Sequence, residues 1–193
     1  MLFRSLLDFF ATFFASATAL LPMVATDLLH VGAQGYGLLS AAPSVGAAIS
    51  GLLMAPIAGR IRRRGVVLLW AVAAYGLATV AFGLVHTFAV SFLCLALTGA
   101  ADTVSMVIRN IIRQLGTPDH MRGRMTSVNM IFFMGGPQLG ELEAGLVAQS
   151  FGVVTSVVTG GLGCLVAVAW IAARTPALRR YRREDAVADV AAS

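Results

Sequence analysis

Four acidic side chains, Asp8, Asp102, Glu141 and Glu143, stand inside stretches otherwise built mostly from apolar and small residues. A carboxylate in such surroundings is costly unless it takes a proton, meets a cation or lines a polar cavity, so each is a candidate for function. Asp102 has Arg109 seven residues further on, which in a helix is two turns down the same face. That pair reads in two ways. One is a proton- or substrate-responsive carboxylate whose charge the guanidinium moderates. The other is a structural ion pair near a helix end, with Arg109 carrying its charged head to water along an apolar stem.

Glu141 and Glu143 fall in the run Gly135-Gly136-Pro137-Gln138-Leu139-Gly140-Glu141-Leu142-Glu143-Ala144-Gly145. Two apart on a helix, they point to different faces. Gln138 and Glu141 share one face. Glu143 shares another with Gly136 and Gly140, a stripe of small residues that lets helices approach closely. Pro137 removes a backbone donor and is expected to bend the helix. A bent, glycine-rich helix with two carboxylates suits the moving wall of a polar cavity; the plainer alternative is that both reach the headgroup zone and are solvated. Asp8 lies within a turn or two of the end of its run, where an interfacial carboxylate is the simpler account.

Other chemistries find less support. Cys94 and Cys164 lie inside apolar stretches with no metal-ligand spacing, so they read as small packing residues rather than a disulfide or metal site. His30, His86 and His120 fall in connections between the runs. An intramembrane serine protease needs a serine facing a histidine inside the bundle, and Asp8 and Asp102 carry no motif of an aspartyl dyad. The expectation is a protein that is not an enzyme, with no cofactor and no metal.

The elements that must position these residues follow from composition. The chain has 193 residues, 58% apolar and 12% charged, with a mean hydropathy of +0.84. Soluble domains carry roughly twice that share of charge, about 25%, so the lipid bilayer is part of the solvent. Six stretches are long and apolar enough for membrane helices, at about 5–25, 36–59, 65–85, 88–108, 125–149 and 151–172. Together they make one six-helix unit over 1–175, followed by a tail at 176–193 that turns from arginine-rich to acidic. Arg4 and the run after it resemble a signal peptide, but Asp8 interrupts the run, which continues to Ala25, and it is read as a retained span.

All fourteen basic residues are arginine. They cluster before the first span, between the second and third, between the fourth and fifth, and after the sixth. Alternation puts all these segments on one side, so the positive-inside rule makes both termini cytoplasmic. The same clustering argues against a nucleic-acid partner, which would be met by a continuous basic surface.

The chain resembles the C-terminal half of a major facilitator superfamily transporter, in the branch of enterobactin exporters and transmembrane secretion effectors. Four stretches carry the likeness. They are Leu7 to Phe14 with Ala19-Leu20-Leu21-Pro22; Gly35-Tyr36-Gly37-Leu38-Leu39 with Ala42-Pro43; Arg109 to Gln114 with Arg122-Gly123-Arg124; and Gly136 to Gly145. The resemblance implies a six-helix bundle of two inverted three-helix repeats, with spans one, two, four and five lining a cavity and three and six facing lipid.

It further implies an inner (plasma) membrane exporter, proton-coupled, for a small amphipathic molecule such as a siderophore or drug. The turn Ala55 to Arg64 matches the family's cytoplasmic gating loop at Arg60, Arg63 and Arg64, but Gly59 replaces its aspartate and Arg62 its second glycine. Transporters of this kind have two six-helix halves. The expected partner is therefore a second half, either a copy of this chain or a separate N-terminal bundle. The alternative is a truncated, non-transporting fragment or an accessory membrane subunit.

Overall fold

The computed structural model describes residues 19–61, 63–115 and 122–174, without the side chains of Arg60 and of 112–134. Asp8, most of the stretch 5–25 and the tail 176–193 lie outside the described residues. Among those described the secondary structure is helical throughout. A short turn α1 (Leu21–Met23) is followed by α2 (Ala33–Ile57), α3 (Arg64–Leu84), α4 (Phe88–Leu115), α5 (Arg122–Phe151) and α6 (Val153–Arg174). Four of them are long and apolar enough to cross a membrane: α2, α3, α4 over Phe88–Ile111, and α6.

These runs become helices because in an apolar medium every backbone N–H and C=O must be paired within its own segment. Their ends follow local chemistry. After α1 the chain widens into a π-helical turn at Val24–Leu28, closed by Leu29 N–H donating to the Val24 carbonyl at 3.0 Å. His30 then takes a left-handed conformation at φ 49°, with its Nδ1 3.0 Å from the Thr26 carbonyl. Between α5 and α6 the reversal falls on Gly152, whose φ of 88° is open to glycine at little cost. α4 runs beyond the apolar stretch to Leu115, because Arg109 to Leu115 mixes helix formers with charges and continues the helix outside the lipid.

Packing rests on two close crossings. α2 lies along α4, and there Gly46 meets the Ala96 carbonyl while Gly99 meets the Pro43 carbonyl. A side chain at either glycine would collide with backbone. α3 crosses α6 in the same reciprocal fashion: a Cβ on Gly76 would stand 3.1 Å from the Gly161 carbonyl oxygen, and one on Gly161 would stand 3.0 Å from that of Gly76. α4 also packs on α3, and α5 packs chiefly on α6. Small residues at such crossings bring backbones together where dispersion and hydrogen bonds, not the hydrophobic effect, hold helices in lipid.

Polar ties reinforce the crossings. Ser156 Oγ on α6 donates to the Ala144 carbonyl on α5 at 2.8 Å, and Cys164 Sγ lies 3.7 Å from the Val72 carbonyl. Two apolar clusters fill the interior. One joins Leu39, Phe82, Leu95 and Val157; the other, toward the arginine-bearing end, joins Leu68, Val72, Ile108, Cys164, Val168 and Ile171.

Candidate functional site

α4 carries the site. It is held between α2 and α3, which fixes its rotation: Ser91, Leu95, Ala101, Ser105 and Ile108 turn inward. Asp102 falls beside this buried stripe and Arg109 at its margin. The structure brings the two together, with Arg109 Nη2 3.6 Å from Asp102 Oδ1. The arginine side chain is 12% exposed and the aspartate 56%. The guanidinium is thus held in the protein, while the carboxylate faces the open side of the helix. At 3.6 Å the contact is an ion pair rather than a short hydrogen bond.

Tyr75, on the facing helix α3, lies within electrostatic reach of both Asp102 and Cys164. Its carbonyl accepts from Thr79 Oγ1 at 3.0 Å, a bond within α3. Sequence reasoning passed over this tyrosine. A lone phenol in an uncharged stretch gives no signal of a charge on another helix, and only the packing of α3 on α4 brings one near.

The carboxylates of α5 stand apart from this pair. Gln138 and Glu141 share an exposed face, whereas Gly136 and Gly140 are buried and Glu143 is half-buried on the same side as them. Among the described residues neither glutamate has an ion pair. The helix runs unbroken through Pro137. In the turn after α2 the three arginines do not share one environment. Arg60 ends a 3-10 turn at Ala58–Arg60, Arg63 is exposed ahead of α3, and Arg64 is the first residue of α3 and is 4% exposed. Helix α3 therefore begins with a buried cation.

A chain that is helical among its described residues, with long apolar helices and a carboxylate–guanidinium pair on one of them, has the character of a membrane transport protein. Residues 1–190 match the transmembrane secretion effector family, and the chain belongs to that branch of the major facilitator superfamily. It is similar to the enterobactin exporter EntS of Citrobacter koseri and of Salmonella typhimurium, being 28% identical to each over 185 residues. The same named protein of Escherichia coli O1:K1 is 30% identical over 169 residues, 88% of this chain. The chain covers 44%, 44% and 40% of these relatives, and so spans less than half the length of the curated proteins it matches.

Proposed function

We propose that this chain forms one six-helix half of a proton-coupled exporter for a small amphipathic molecule, of the siderophore or drug class, in the inner (plasma) membrane. It performs no covalent catalysis. Both termini face the cytoplasm, and a second six-helix half, a copy of this chain or a separate bundle, completes the cavity. The observation that carries this reading is the Asp102–Arg109 pair, with its carboxylate turned to the open side of α4 and its guanidinium held inside. In a member of an exporter family, that is where a proton taken up from one side would change the charge facing the transport path.

Asp102 is the primary coupling group and Arg109 tunes it. Glu141 on α5 is the second coupling candidate, Gln138 and Glu143 are further transport candidates on the same helix, and Asp8 lies at the cytoplasmic end of the first span. The reciprocal crossing of α3 with α6 supports the inverted-repeat arrangement, in which these are the third helices of the two repeats.

The test has two stages. Cross-linking and mass measurement in mild detergent establish whether the chain forms a defined dimer or a complex with a second six-helix bundle. That assembly is then reconstituted, and export of enterobactin as a probe is followed under an imposed proton gradient. Gradient-driven flux supports the reading. A defined assembly that moves neither protons nor a panel of siderophores and amphipathic cations contradicts it and favours an accessory role.

A further inference from the structure

We propose that the start of α3 binds the phosphate of an anionic phospholipid in the cytoplasmic leaflet, with Arg64 as its cation; the leaflet follows from the orientation proposed above. Arg64 is 4% exposed, and its Nε and Nη1 are enclosed with no hydrogen-bond partner among the described residues. A guanidinium taken out of water with two donors unmet is a strong demand for an anion. It is the first residue of α3, where the Cα–Cβ bond tilts toward the helix N-terminus.

That N-terminus makes the same demand. Arg63 at the cap position provides no side-chain hydrogen bond, and the first turn holds no acidic residue. The first intrahelical bond there is Val67 N–H to the Arg63 carbonyl, at 3.2 Å, so the N–H groups of Arg64, Gly65 and Val66 precede it and lack intrahelical acceptors. A buried cation beside N–H groups that lack intrahelical acceptors, at the positive end of a 21-residue helix, has the chemistry of a phosphate site.

The surroundings point to lipid as the source of that phosphate. α3 and α6 run antiparallel, with Gly83 against Val157, Gly76 against Gly161 and Val72 against Cys164. Continuing this register sets Arg64 near the end of α6, where Arg174 is exposed. Both tryptophans of the chain flank this end: Trp70 on α3 is 72% exposed and Trp170 on α6 is 45% exposed. Exposed tryptophan beside arginine marks the headgroup level of a bilayer, and basic pockets between helices on the cytoplasmic side suit anionic headgroups.

Native mass spectrometry of the full chain, released from membranes of phosphatidylethanolamine and phosphatidylglycerol, reads this site. The wild-type protein is expected to retain one phosphatidylglycerol. Arg64→Gln should lower that retention roughly tenfold or more, the loss expected from hydrogen bonds to a charged group, while Arg63→Gln leaves it nearly unchanged. Equal retention in the Arg64→Gln variant, or no retained lipid in the wild type, overturns the proposal.

Should Arg64→Gln not fold, the wild-type Tm decides: a saturable rise with phosphatidylglycerol, absent with inorganic phosphate, supports a lipid site. An equal rise with inorganic phosphate overturns the lipid source.

Discussion

The backbone of Gly46 on α2 rests directly against the Ala96 carbonyl of α4, with no room for a side chain between them. Three residues along α4 the relation reverses, and Gly99 meets the Pro43 carbonyl. Backbone cannot yield as a flexible side chain can. Gly46→Ala and Gly99→Ala should each therefore cost about 1–3 kcal/mol despite alanine's better helix propensity. Gly37→Ala, where a Cβ meets nothing within 4 Å, should be neutral or stabilising by up to about 1 kcal/mol. Unfolding in mixed detergent measures all three. Equal responses at Gly46 and Gly37 would mean the crossing is not that close.

Among the described residues, a side-chain hydrogen bond adds to the apolar packing of α5 on α6. Ser156 Oγ reaches the Ala144 carbonyl at 2.8 Å, whereas Thr159 Oγ1 bonds only to carbonyls of its own helix. Ser156→Ala should destabilise by about 0.5–1.5 kcal/mol and loosen α5. Thr159→Ala should cost less. Hydrogen exchange over Ala144 to Ala148 gives the second readout: faster exchange in Ser156→Ala alone is the expected result.

Orientation is testable with thiols. Cys164 is 1% exposed and Cys94 6%, so both should react slowly and leave a low background. His86→Cys, in the turn between α3 and α4, should label with a membrane-impermeant maleimide from outside intact cells. Arg63→Cys should label only after lysis. The reverse pattern would invert the topology.

Much of the helical pattern was legible in the sequence because its cause is local. Uncharged runs such as 65–85 and 151–172 have to be helical in lipid, and α3 and α6 occupy nearly those bounds. The Asp102–Arg109 contact was legible for the same reason, since both residues lie on one helix two turns apart. What depends on packing was not. Nothing local pairs Gly46 with Ala96, or Gly76 with Gly161. Nor could spacing separate Arg63 from Arg64, adjacent arginines of which one is exposed and the other buried under the start of α3. The extension of α4 to Leu115 was missed because apolarity marks where lipid ends, not where a helix does.

Proton-coupled export, with Asp102 as the coupling group, is the central claim. The direct test is flux from proteoliposomes holding the complete assembly, wild type and Asp102→Asn side by side, with and without a pH gradient. The asparagine keeps the side chain's size and removes its titration. Gradient-driven export should fall at least roughly tenfold, a loss of about 1.4 kcal/mol or more in coupling, while gradient-independent exchange of the same probe persists. Export that still follows the pH gradient in the Asp102→Asn protein would contradict the account and remove Asp102 from the mechanism.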